Sequence, residues 1–183
     1  MRQLCYAAMK NGLEDPRVNS LGSSGASGAI GGERVDRGAR WVIGQSLLMA
    51  GVIASSVFWS NQWHSPWTFG LGLGLFGVGG VLGVLGVVHL GRNRTAFPRP
   101  LADSTLVETG VFGVVRHPLY ASVILACLGW SGIWSSGPGF VLALVLAGFL
   151  NAKARREELW LLERHPSYAD YARRVKRLIP LVY

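Results

Sequence analysis

The chain has 183 residues, half of them apolar, with a mean hydropathy of +0.31. It is one domain's length of chain and too apolar for an ordinary soluble domain. Eighteen Lys and Arg stand against ten Asp and Glu. The two cysteines, Cys5 and Cys127, form no C-x-x-C pair or Cys/His cluster, which argues against a disulfide framework or a metal site.

Residues 1–40 carry mixed charge and a Gly/Ser-rich run from Ser20 to Gly32. They lack apolar periodicity, so a disordered tail is expected there, with a membrane domain over residues 41–183. Two long apolar runs follow, Trp41 to Ser60 and Trp67 to Leu90. Each reaches the roughly 20 residues that span a bilayer. The first starts too late and runs too long for a signal peptide. Within the second, Gly72, Gly74 and Gly77 form a G-x-G-x-x-G pattern, but no strand precedes it, so a dinucleotide loop is rejected. The same region holds the small-residue pairs Gly70/Gly74 and Gly79/Gly83, which suit close helix packing.

A polar loop, residues 91–117, carries Pro98, Pro100 and a turn at Thr109-Gly110. Long loops in compact proteins are usually functional or disordered. This one leads into Arg116-His117-Pro118-Leu119-Tyr120. Two shorter apolar runs come next, Leu119 to Ser135 and Pro138 to about Ala152, read as a tight helical hairpin broken at Ser136-Gly137-Pro138. The last helix should continue to Arg164, because the residue before Pro166 is biased away from helix. Ser167 and Asp170 have capping-box spacing for a short final helix ended by Pro180. The fold expected is all-α and polytopic: four transmembrane helices, the last two a tight hairpin, plus C-terminal cytoplasmic or interfacial helices.

The basic residues locate the termini. Residues 1–40 hold six Lys/Arg, 91–117 hold four and 153–183 hold eight, while the connectors 61–66 and 136–137 hold none. Positive loops stay cytoplasmic. Four spans with both termini in the cytoplasm place every basic residue on that side. Topology therefore explains the positive excess more simply than nucleic-acid binding, for which there is no base-reading or stacking face.

The ligand-site candidates gather on the same side. Proline at the first helical position is pre-shaped for a helix start, with His117 at the cap and Tyr120 one turn inside. A helix start with unpaired N–H groups beside Arg116 suits a carboxylate or phosphate. His117 reads as a helix cap or as an acid–base group, since histidine titrates near neutral pH. Glu157 and Glu158 emerge from the last span beside several arginines. Glu157 can pair with Lys153 one turn back; Glu158 has only Ala154 at that position, which points Glu158 to a ligand. His64, His89 and His165 read as interfacial or loop residues.

Taken together, the run Leu90 to Pro100, the segment Leu106 to Phe112, the element Arg116 to Tyr120, the run Glu157-Glu158-Leu159, Tyr168-x-x-Tyr171 and Ile179-Pro180 resemble the isoprenylcysteine carboxyl methyltransferase family, whose wider group includes phospholipid N-methyltransferases. The resemblance covers about residues 67–183. It implies a membrane enzyme that uses S-adenosylmethionine and methylates a lipophilic or lipidated acceptor, such as a prenylcysteine-like carboxylate. It also implies a cofactor pocket built from Arg116, His117, Tyr120, Glu157 and Glu158, with His117 and Tyr120 nearest the chemistry. Arg116 and His117 suit the cofactor's carboxylate, a glutamate its ammonium or a ribose hydroxyl, and Tyr120 its adenosyl group. Alternatives are phospholipid or amine N-methylation, a sterol-type membrane reductase using a nicotinamide cofactor, and a non-catalytic membrane protein.

Overall fold

The computed structural model describes residues 27–63, 65–91 and 106–179, with side chains from residue 38 onward. Cys5, His64, the Pro98/Pro100 stretch and Pro180 lie outside the described residues. Those described form five α-helices and no strand. They are α1 (Ser27–Phe58), α2 (Pro66–Leu90), α3 (Pro118–Ile133), α4 (Gly137–Arg164) and α5 (Tyr168–Arg174), with a 3-10 turn at Gly110–Gly113. The chain divides into two units after Arg34, and the unit from Val35 carries everything that follows.

The all-α expectation holds. Helix α1 begins at Ser27, upstream of the boundary expected at Trp41. Extending a helix fixes one residue per added hydrogen bond, so a formed helix can run on through sequence that composition alone reads as loop. Three segments are long and apolar enough to cross a membrane, Gly38–Phe58, Pro66–Leu90 and Gly137–Arg164. Helix α3 is apolar but has 16 residues. That is about 24 Å of helix against a hydrocarbon core of about 30 Å.

In lipid no hydrophobic force drives helices together, so close packing of small residues and interhelical hydrogen bonds carry the association. Helices α2 and α3 meet along such a seam. A Cβ on Gly72 would come within 2.8 Å of Gly129 O, and one on Gly129 within 2.5 Å of Phe76 N. Gly79 abuts Ser122 O and Ala126 N in the same way. Of the expected pairs, Gly79/Gly83 faces α3, while Gly70 and Gly74 have nothing within 4 Å. The motif cannot tell which face of an evenly apolar helix meets a neighbour.

The apolar core lies between α1, α3 and α4 and centres on Val52, Cys127, Ala143, Leu146 and Leu150. At one end of the unit the connectors hold each other. Asn61 N donates to Trp134 O at 2.9 Å, and Gly137 N donates to Gln62 Oε1 at 2.8 Å. Ser136 caps α4 by accepting from Gly139 N and donates from its hydroxyl to Ser55 O at 3.2 Å. The other end carries the start of α3 and the charged end of α4.

Candidate active site

Pro118 is the first residue of α3 and His117 its N-cap, the arrangement expected from Arg116 to Tyr120. The histidine side chain makes no cap; Tyr120 N and Ala121 N both donate back to His117 O at 3.1 Å. Arg116 N donates to Lys176 O at 2.8 Å and His117 N to Arg177 O at 3.0 Å, so the segment before α3 runs beside the segment after α5. This contact brings residues 116–120, 157–158 and 171–177 to one place.

Glu158 is the hub. Arg116 Nε donates to its Oε1 at 3.0 Å, and Arg116 Nη2 lies 2.9 Å from the same oxygen. Arg177 Nε and Nη2 reach Oε2 at 3.0 and 2.6 Å. His117 Nε2 sits 3.2 Å from Oε1. A planar guanidinium matches a carboxylate geometrically, so these contacts fix orientation as well as charge. Arg116 is also a strut: Nη1 donates to Ala172 O and Val175 O, both at 2.6 Å. It thereby satisfies carbonyls at the C-terminal end of α5, where a cation complements the helix dipole.

Glu157 faces a different set. Tyr120 Oη donates to its Oε1, and His117 Nδ1 lies 3.8 Å from its Oε2. The His117 and Tyr120 rings stack in parallel, 5.3 Å between centroids. Lys153, expected as the partner of Glu157, donates to Gln45 Oε1 on α1 at 3.0 Å and lies over the Tyr120 ring, 5.0 Å from its centroid.

All five predicted site residues therefore meet in one cluster. Sequence reasoning gave no part in the cluster to Arg177, Gln45 or Lys153 as a cross-helix group, and it read Tyr168 and Tyr171 as interfacial, whereas both are buried. Tyr171 Oη donates to Phe112 O at 2.6 Å and ties α5 to the 3-10 turn. Tyr168 is 2% exposed and packs edge-on against Tyr171. Its hydroxyl is buried without a hydrogen-bond partner among the described residues. Burial pushes both phenols above their ordinary range, and the Glu158 carboxylate pushes Tyr168 in the same direction. Both remain hydrogen-bond donors across the physiological range. The expected capping box departs from the prediction: Ser167 is the N-cap of α5 but has helical backbone angles and makes no side-chain cap. A capping side chain needs an extended residue there.

Other expectations resolve simply. His89 closes α2, with Nδ1 2.8 Å from Leu85 O, and its ring packs where a Cβ on Gly110 would stand. Gly110 has φ +62°, a conformation that side chains rarely adopt. His165 is the C-cap of α4. Cys127 is a free thiol in the core. No cluster of three metal-ligating side chains occurs among the described residues.

A family model described as phospholipid methyltransferase matches residues 67–167. The chain is 34% identical over 133 residues to the cobalt-zinc-cadmium resistance protein CzcN of Cupriavidus metallidurans, covering 70% of this chain and 58% of the relative. It is 29% identical over 142 residues to the nickel-cobalt-cadmium resistance protein NccN of Alcaligenes xylosoxydans xylosoxydans, covering 76% and 62%. Thus the chain spans about three-fifths of the length of these relatives. A shorter match, 33% over 82 residues, covers 43% of this chain and 20% of the Delta(14)-sterol reductase TM7SF2 of Mus musculus. Among solved structures, the fold is similar to that of the eukaryotic intramembrane Ras methyltransferase, isoprenylcysteine carboxyl methyltransferase. The TM-score is 0.60 at 23% identity, over 79% of this chain and 53% of that one.

Proposed function

The chain belongs to the phospholipid methyltransferase family, and on that premise we propose that it transfers a methyl group from S-adenosylmethionine to a lipophilic acceptor in the membrane, of the prenylcysteine-carboxylate kind. The observation that carries the reading is the cluster of Arg116, His117, Tyr120, Glu157 and Glu158 at the start of α3, within the matched residues.

The residues fit the cofactor's chemistry. Its ammonium and ribose hydroxyls call for a carboxylate acceptor, which Glu157 supplies; Glu158, expected from the sequence to face the ligand, is instead engaged by Arg116, Arg177 and His117. Its carboxylate calls for a cation or a hydrogen-bond donor, and the His117 side chain and the positive end of the α3 dipole lie at this point. The buried Tyr168 hydroxyl is a donor still lacking an acceptor; such groups usually have one. Arg116 already serves Glu158 and two carbonyls, so its main work is to hold the acidic hub in place. When bound, S-adenosylmethionine supplies a methyl group on a sulfonium. The stacked rings of Tyr120 and His117, both in contact with Glu157, would hold and orient the cofactor. Positioning of this kind provides much of the rate in a displacement, with reacting atoms about 3–3.5 Å apart. A carboxylate acceptor is already ionised and loses no proton, so His117 then orients groups and need not act as a base.

We further propose four spans with both termini in the cytoplasm, the acceptor entering sideways from the bilayer. The decisive test is calorimetric titration of the purified protein in detergent with S-adenosylhomocysteine. Saturable binding is expected, weakened about ten-fold or more by His117→Ala, as for loss of a charge-assisted hydrogen bond. No saturable heat would remove the cofactor. Unchanged affinity in alanine variants of Arg116, His117 and Tyr120 alike would remove the site.

A further inference from the structure

Lys153 is 3% exposed in a segment long and apolar enough to cross a membrane. A charged side chain buried there is costly and needs partners. Its Nζ donates to Gln45 Oε1 on α1 at 3.0 Å and lies over the Tyr120 ring, 5.0 Å from the centroid. Glu157, one turn further along α4, is its nearby opposite charge. Tyr120 donates to that same carboxylate and stacks on His117. Lys153 therefore meets the cofactor half at two of its members, the phenol ring and the carboxylate that the phenol holds.

Packing does not call for this charge. Apolar side chains of similar volume in place of a buried ion pair are often neutral or stabilising, and the neighbours of Lys153 show that solution. One turn earlier on α4, Phe149 packs on Trp41 with ring centroids 5.0 Å apart, and a Cβ on Gly44 would stand 2.9 Å from its ring. Leu48, Met49 and Val52 continue the same face of α1 into the core. Gln45 interrupts that apolar stripe with an amide. Its oxygen accepts from Lys153, and its nitrogen lies 3.9 Å from Met49 Sδ. The two adjacent carboxylates also divide the cations: Arg116 and Arg177 serve Glu158, and Lys153 serves Glu157. An acidic pair on neighbouring residues needs such a division, because like charges at close range repel.

We infer that Lys153 is a positioning residue for the cofactor site and that Gln45 holds it in place from α1. The inference rests on the methyl-transfer reading and deepens it. The ammonium keeps the Tyr120 ring and the Glu157 carboxylate in the arrangement that receives the cofactor. It acts through those two groups and takes no part in the displacement itself. Tyr120, Lys153 and Glu157 lie within the family match at 67–167 and Gln45 lies outside it, so α1 adds a support to the matched region.

The test titrates S-adenosylhomocysteine into the full chain in detergent and follows ligand-free thermal unfolding of the same samples. Lys153→Met keeps the length of the side chain and removes its charge. Affinity should fall about ten-fold, the size of one hydrogen bond to a charged group, while the melting temperature holds or rises. Lys153→Arg should recover most of the affinity, a rescue that packing alone would not give. In a Glu157→Gln background Lys153→Met should cost little more, because the lysine acts through that carboxylate. Gln45→Met, at the other end of the bond, should show a smaller loss of the same kind, and it carries the test if Lys153→Met does not fold. Unchanged or tighter binding in Lys153→Met, or in Gln45→Met where that variant stands alone, overturns the assignment. Binding by Lys153→Arg no better than by Lys153→Met overturns it too, as does a full additive loss in the Glu157→Gln background. A melting temperature that falls in step with affinity also overturns it, since Lys153 then only braces α1 against α4. No saturable binding by the unaltered protein removes the methyl-transfer reading and the assignment with it, whereas binding indifferent to Lys153 removes the assignment alone.

Discussion

Adjacent residues on a helix point about 100° apart, so Glu157 and Glu158 cannot share one set of partners. The sequence shows the pair but pairs them by local spacing alone, giving Glu157 to Lys153. The structure gives Glu158 to two arginines from outside its helix and Glu157 to the aromatic pair on α3, with Lys153 remaining a nearby opposite charge rather than a direct partner. Arg177 follows the last helix with no periodicity to mark it, which is why its role was not legible. The two glutamates should therefore fail differently. Glu158→Ala strands two arginines in a site where Glu158 itself is 7% exposed. Breaking a buried ion pair costs roughly 3–5 kcal/mol, and thermal unfolding in detergent should show a loss of that order. Glu157→Gln keeps the shape and an acceptor for Tyr120, so its melting temperature should barely move while S-adenosylhomocysteine affinity falls. Equal loss of stability in both variants would mean that Glu158 is not the hub.

At the scale of elements, the helices were legible because their signals are local: apolar length, Pro118 at a helix start, Pro166 after a helix end. The packing faces were not, because α2 is apolar around its whole circumference. A glycine spacing seen in isolation fits several faces, and the structure selects Gly72, Gly79 and Gly86 as the buried ones. The seam makes a clear prediction. Gly129→Ala drives a Cβ to 2.5 Å from the backbone of Phe76, and overpacking of this kind costs about 1–3 kcal/mol or more where backbone cannot shift. Gly74→Ala meets open space and should be neutral or stabilising by up to about 1 kcal/mol, from helix propensity. Unfolding midpoints of the two variants should move in opposite directions or differ widely; equal midpoints would show that α2 packs by another face. The turn at Gly110 adds a second case. Gly110→Ala combines a positive φ with a clash against His89, so its cost should shrink, without vanishing, in a His89→Ala background.

For the whole molecule, charge and connectivity agree on one arrangement. The start of the first span, the end of α2, the start of α3 and the end of α4 all carry basic residues in sequence, while the connectors 61–66 and 136–137 carry none. In the folded unit those two connectors hydrogen-bond to each other, Gln62 N to Ser135 O at 3.1 Å and Gly137 N to Gln62 Oε1, and so lie at one end. The cluster of Arg116, Glu158 and Arg177 therefore sits at the basic end. Helix α3 is the weak link in a four-span reading, being shorter than a bilayer core is thick. Tight antiparallel contact with α2 along the glycine seam lets it follow a longer neighbour, and thinning of the bilayer around a short helix costs only fractions of a kcal/mol per Å. The connector 61–66 and the C-terminus should then lie on opposite sides of the membrane. A reporter active only in the cytoplasm, fused after Tyr183, should give signal. A cysteine placed at Asn61, in a Cys5→Ser/Cys127→Ser background, should react with an impermeant maleimide from outside the cell. If instead the fusion after Tyr183 is silent and the Asn61 cysteine is protected, the chain crosses in the reverse sense. Positive residues would then face outward, and the cofactor cluster would lie away from the cytosolic supply that the proposed reaction requires.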